Sequence, residues 1–113
     1  MVKFSENNKQ VLDEIFSGIP GVRFAKAFGY PGYYLGKKMI ACVYEEGLGI
    51  KLSPEWTEKM LGENRAIPFK PYGRHTMRQW VFIVHENPVD FKKDLDIFYE
   101  SIQYISSLED NNG

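Results

Sequence analysis

The residues of this chain that could carry chemistry are few. Tyr72, Arg74, His75 and Arg78 stand close together, and Tyr30 lies in the turn-rich stretch FGYPGYY. They would converge on a polar pocket if the segment 68–76 folded over the bend at 29–32, and an enzyme's site would have to be built there. The structural reading of the same residues is favoured, with Arg78 exposed on a strand and His75 in a solvated loop, so a non-catalytic protein is expected. His75 and His85 have no Cys or His at metal-ligand spacing, and no metal site is expected. No Gly-rich phosphate loop opens a helix and there is no GxSxG elbow, so no cofactor is expected either. The one cysteine, Cys42, sits in the apolar run MIACVY and reads as a small buried hydrophobe without a disulfide partner.

The elements that must position these residues are organised around 28–51. Runs rich in Tyr, Val, Ile and Met are cut at Gly36-Lys37 and at Glu45-Glu46-Gly47, which predicts three strands in a β-meander. Ahead of it, Ser5 is a candidate N-cap, and Val11, Leu12, Ile15 and Phe16 draw a helical stripe that stops at Gly18. Val22, Phe24 and Phe28 alternate as a strand leading into Gly29-Tyr30-Pro31-Gly32, expected to be a sharp bend or bulge. After the meander, Ser53-Pro54-Glu55 opens a short helix that Gly62 should end. Ala66 to Phe69 is an edge-strand candidate, Met77 to Val84 a second strong strand, and Asn87-Pro88 the start of a long last helix. Phe91, Leu95, Phe98, Ile102 and Ile105 form its apolar seam, with Leu95 and Phe98 expected to be buried. The expected fold is α+β: a two-layer structure with an antiparallel sheet of five or six strands, in the order α-β-meander-α-β-β-α, and helices on one face.

Composition allows one core. At 113 residues, with 43% hydrophobic and 26% charged residues, the chain has the profile of one soluble domain, expected to span 1–113. No apolar run approaches the ~20 residues of a membrane span, and MVKFSENNKQ has no apolar export region, so a cytoplasmic protein away from membranes is expected. The net charge of −1 hides an asymmetry. Residues 21–80 hold ten Lys and Arg against five acids, whereas 81–113 hold two Lys against seven acids. A basic middle is what a nucleic-acid or anion-binding module would use, although scattered surface charge is the commoner state.

Phe28, Gly29, Pro31, Gly32, Lys38, Met39, Ala41, Lys51, Leu52, Gly73, Arg74, Met77, Arg78 and Trp80 stand in an order that resembles the N-terminal domain of the TfoX/Sxy family. That family shows an F-G-x-P or F-G-G-x-G turn, a G-K-M-x-A strand, a short helix and a late G-R-x-M-R-x-[YW] segment. The resemblance covers most of the chain and implies the same α, meander, α, strands, α order. It also implies a regulatory role, since the best-known members regulate natural competence together with a transcription factor. Those members carry a second domain, so this chain is expected to correspond to the first alone.

Both faces of the Met39–Tyr44 strand are apolar, with Met39, Ala41 and Val43 expected on one and Ile40, Cys42 and Tyr44 on the other. Three helices should cover only one face. A protein partner or a symmetric homodimer is therefore expected on the second, removing Ile40, Tyr44 and Trp80 from water, the alternative being a monomer whose Tyr and Trp shield that face with their polar tips outward. The leading expectation is a binding or adaptor domain acting through protein–protein contact at Tyr30, Tyr44, Tyr72, Arg74, His75, Arg78 and Trp80, with nucleic-acid binding weak or absent. The alternatives are a nucleic-acid or anion-binding module using 21–80, and a small enzyme with its pocket around Arg74, His75 and Arg78.

Overall fold

In the computed structural model, which describes residues 2–71 and 77–112, each helix begins where a polar side chain can accept its first free N–H. The Ser5 hydroxyl accepts from Asn8 N at 3.1 Å and starts α1 (Glu6–Ser17). The Ser53 hydroxyl accepts from Trp56 N at 3.2 Å and starts α2 (Pro54–Gly62), with Pro54 in the first turn, where its missing N–H costs nothing. The Asn87 side chain accepts from Val89 N, but the helix it caps is a 3-10 helix (Pro88–Asp94) that passes into α3 (Leu95–Asn112).

Six strands lie between the helices: β1 (Val22–Ala27), β2 (Tyr30–Leu35), β3 (Lys38–Tyr44), β4 (Gly47–Lys51), β5 (Ile67–Pro68) and β6 (Trp80–Val84). They form one antiparallel sheet in the order β1-β2-β3-β4-β6-β5. The architecture is the expected two-layer α+β fold. α1, α2, the 3-10 helix and α3 bury Leu12, Phe16, Met60, Phe91, Ile97, Phe98 and Ile105 against Tyr33, Ile40, Val43, Leu48, Ile50, Val81 and Ile83 of the sheet. Among the described residues no helix is long and apolar enough to cross a membrane.

Several local expectations are corrected. The reversal expected at 29–32 occurs one step earlier, at Phe28-Gly29, both with positive φ, and Pro31 lies within β2 opposite Lys26. At Pro31 the strand has a neighbour on one side only, because pairing with β3 starts at Gly32 opposite Cys42, so the missing N–H is tolerated. The register between β2 and β3 slips at Tyr33/Tyr34: Tyr33 faces Ala41 while Tyr34 faces Met39. Ile40 is thus the extra residue of a β-bulge, which breaks the period of two. Ile40 joins Ala41 and Val43 in the helix-side core, and Met39 joins Cys42 and Tyr44 on the other face. The strand expected from Met77 begins only at Trp80, after a turn in which Gln79 takes φ 63°.

Leu95 is not buried: it is 42% exposed, while Phe98 is fully buried. The 3-10 helix winds more tightly than an α-helix and rotates the seam, so the inward positions become Phe91, Asp94, Ile97, Phe98, Ser101 and Ile105. Asp94 occupies a core position because His85 Nε2 lies 2.6 Å from one carboxylate oxygen and Arg65 donates to the other at 3.3 Å. A buried carboxylate needs such partners. The pair ties the end of β6 and the segment after α2 to the start of α3.

Candidate functional site

The second face of the sheet is built on glycine. β4 reads Gly-Leu-Gly-Ile-Lys, which places Leu48 and Ile50 in the helix-side core and the glycines on the opposite face. A Cβ on Gly49 would lie 2.6 Å from the Phe69 ring, so only glycine lets that ring lie on the strand. Phe69, just after β5, is held there by the backbone bond from Met77 N to Phe69 O, 2.9 Å.

Around Phe69 the aromatic rings interlock. It stacks on Phe82 at 5.5 Å between centroids, meets Tyr44 edge-on at 5.4 Å and lies 6.0 Å from Trp80. Tyr44 in turn is 4.8 Å from Tyr30. With Cys42 these residues form a second buried cluster, onto which Phe4 and Met39 pack. The N-terminal segment reaches the cluster because Ser5 N donates to Glu45 O and Glu45 N to Lys3 O. The second face is therefore covered largely by the chain itself, which sequence reasoning did not anticipate.

The cover has a gap. A recess of about 200 Å³ remains, lined by Tyr30, Met39, Cys42, Tyr44, Phe69 and Trp80, with Ala27, Phe28, Pro71 and Met77 around it. Pro71 and Met77, on either side of residues 72–76, border the recess beside the β1–β2 turn, and its described lining is apolar. Phe28 stands at its rim, 91% exposed, with φ 53°. The first position of such a two-residue turn favours Asn, Asp or Gly, and a bulky side chain there costs on the order of 1 kcal/mol. Phe28 is thus an aromatic side chain held in water at an unfavourable φ beside an apolar recess.

Of the residues singled out from sequence, the structure brings Tyr30, Tyr44 and Trp80 together. Ile40, expected beside them, is on the other side of the sheet. Arg78 is exposed in the turn before β6, not on a strand, and lines a separate groove with Pro54, Thr57, Glu58 and Leu61; Trp80 borders both hollows. Tyr72, Arg74 and His75 lie outside the described residues. Sequence reasoning missed Phe28 as an exposed group, and Phe69 and Phe82 as parts of the cluster. For Phe69 and Phe82 the signal was the Gly-x-Gly period in β4, which marks a strand face where something else lies close, and no such signal marked Phe28.

Among the described residues the recess offers little acid–base chemistry. Burial pushes the Cys42 thiol up to about 12, so it stays protonated at neutral pH and is a poor nucleophile. Among the described residues no group of three or more His, Cys, Asp or Glu is arranged to hold a metal ion. Across the sheet, Tyr33 donates to Asp13 Oδ1 at 2.7 Å and Lys9 to Asp13 Oδ2 at 2.7 Å; burial raises the Tyr33 phenol well above its ordinary value. That network anchors α1 to β2. A broader, open groove between α1 and α3 is lined by Glu14, Ile15, Ile19, Lys92, Leu95 and Tyr99, without the enclosure of the aromatic recess.

No protein-family model matches the chain, and neither a curated protein nor a solved structure does.

Proposed function

We propose that this protein is a non-catalytic binding domain of the TfoX/Sxy N-terminal type that acts through protein–protein contact, with the aromatic recess as the seat for an apolar side chain of its partner. The observation that carries the reading is the exposed Phe28 on the rim of a recess whose walls are aromatic and thioether groups. A cavity near 150 Å³ with apolar walls holds a benzene-sized group, so about 200 Å³ suits one aromatic or branched aliphatic side chain. A buried anchor surrounded by contacts that exclude water is the usual energetic centre of a protein interface. The regulatory role rests on the family resemblance of the turn and strand motifs.

The test uses N-acetyl-phenylalanine amide as a stand-in for the partner's side chain. With the methionine methyls labelled for NMR, the probe is expected to shift Met39 and Met77 saturably at millimolar concentration. Met60 is buried in the helix-side core and should not respond. No saturable change at Met39 and Met77, or an equal change at Met60, would overturn the reading.

Nucleic-acid binding is expected to be weak. The bases are spread over β1, the β2–β3 turn, the end of β4 and α2, and Arg65 is engaged with Asp94 and Asp96. Phosphate affinity needs several cations on one track, so a Kd on the order of 10⁻⁴ M or weaker is expected at physiological salt. Sub-micromolar, sequence-dependent binding in an anisotropy titration would restore the nucleic-acid alternative.

A further inference from the structure

We propose that the occupant of the recess is Phe28 of a second copy of this chain, in a two-fold exchange that places each Phe28 ring in the other copy's recess. The inference rests on the reading of the recess as a protein-binding seat and adds what fills it. Its ground is a juxtaposition: the β1–β2 turn supplies both part of the recess wall and the exposed Phe28 side chain.

A two-fold interface is self-complementary, so a protruding group and the hollow that receives it must lie on the same surface of one chain. Phe28 and the recess meet that condition. In a two-fold pairing the outward phenyl ring of Phe28 and the hollow each find their complement in the other copy. Within its own chain Phe28 borders the recess but does not fill it, since it is 91% exposed.

Size and surface chemistry agree. A phenyl ring fits a recess of about 200 Å³, and the walls supply rings for edge-to-face contact from Tyr30, Tyr44, Phe69 and Trp80, with the Met39 thioether and the Cys42 thiol beside them. Aromatic hot spots of one partner commonly pair with those of the other. A formal net charge of −1 per chain sets little repulsion against pairing two copies.

The exchange also accounts for the backbone at Phe28. A φ of 53° is one that glycine adopts freely and phenylalanine does not. A turn selected only to reverse the chain would carry Asn or Gly there. In the exchange the ring gains a contact with another molecule, which offsets the cost of that backbone conformation.

The experiment compares the full chain with Phe28→Gly and with a recess-filling variant, Cys42→Leu, by sedimentation velocity from 5 to roughly 500 μM, a range chosen to cover the affinities of small interfaces. The wild type is expected to rise from the monomer mass of 13.1 kDa toward twice that value. Phe28→Gly should stay monomeric across the range, yet melt at the same temperature or higher because the backbone strain is relieved. Cys42→Leu, with Phe28 intact, should also be monomeric. In a mixed sample of labelled and unlabelled wild type, nuclear Overhauser contacts should join the Phe28 ring of one chain to the Met39 and Met77 methyls of the other. A wild type that stays monomeric at 500 μM overturns the exchange, as does a dimer that persists in Phe28→Gly. If the wild type is monomeric but N-acetyl-phenylalanine amide still moves Met39 and Met77, the exchange fails and the binding seat stands. If the probe is silent as well, both fail.

Discussion

Replacing Phe98 with alanine is expected to destabilise the fold by about 3–5 kcal/mol, while Leu95→Ala, three residues earlier on the same helix, should change stability by less than about 0.5 kcal/mol. Phe98 is fully buried, and its ring lies 5.0 Å from Phe16, which stacks on Tyr33 at 4.2 Å. The three rings join α3, α1 and β2, so truncation at Phe98 removes transfer energy and leaves a cavity where three elements meet. Close-packed helices on both sides resist collapse into it. Leu95 begins α3 and is nearly half in water, so its loss removes little contact. Urea denaturation of both variants checks the pair. Equal midpoints for Phe98→Ala and the wild type would mean that α3 does not dock on the sheet through this ring, and a large loss at Leu95→Ala would mean that the seam runs as its spacing alone suggests. Against a total stability of ~5–15 kcal/mol, the Phe98 effect is a large share.

The contrast between these neighbours shows what the sequence makes legible. Helix starts were readable because Ser5, Ser53 and Asn87 are short polar side chains whose oxygens do one local thing, and each accepts the N–H expected of it. The meander was readable because Gly36-Lys37 and Glu45-Glu46 are turn chemistry between β-rich runs. Patterns of period failed where the period itself changed. The bulge at Ile40 moved that side chain to the helix side and Met39 to the other, and nothing in MIACVY marks which residue is extra. The 3-10 helix turned Leu95 outward and Asp94 inward, and an inward aspartate is visible only once His85 and Arg65, distant in sequence, are seen to satisfy it.

The candidate site was half legible for a related reason. Tyr44 and Trp80 were expected on one face and are found there, because each lies in a regular strand next to its hydrogen-bonded partners, whereas Tyr30, expected in a bend, joins them from β2. What covers them was not legible, since Phe69 arrives from beyond a two-residue edge strand by tertiary packing over Gly49. Phe28 reads in sequence as the last apolar residue of an alternating strand. Its positive φ follows from the hairpin register, in which Ala27 opposes Tyr30 and leaves only Phe28 and Gly29 to make the turn.

Alkaline solution is expected to unfold this protein early, and Cys42 is the reason that can be isolated. Its thiol titrates near 9.0 when exposed and is pushed up to about 12 by burial against the aromatic cluster. Between those values the unfolded chain has released the proton and the folded chain still holds it. The unfolded state then binds fewer protons, so stability falls as pH rises. Each pH unit in that window removes up to about 1.4 kcal/mol, so pH 10.5 should cost the wild type about 2 kcal/mol relative to Cys42→Ala, both referenced to pH 8. The buried Tyr33 phenol, also raised, adds a loss of the same sign above about pH 10 in both proteins and cancels in the comparison. Urea midpoints at the two pH values decide the matter: parallel losses in wild type and Cys42→Ala would show that Cys42 is not held neutral by the fold. The same protonation protects the thiol chemically, because the thiolate is the reacting form. Alkylation of folded protein at pH 7.5 should be about a thousandfold slower than that of the urea-unfolded chain, the ratio of thiolate fractions for a shift from 9.0 to about 12. Opening of the Phe69 cover would raise that rate, so Gly49→Ala, which drives a methyl group into the ring, should alkylate faster than the wild type while the helix-side core stays formed.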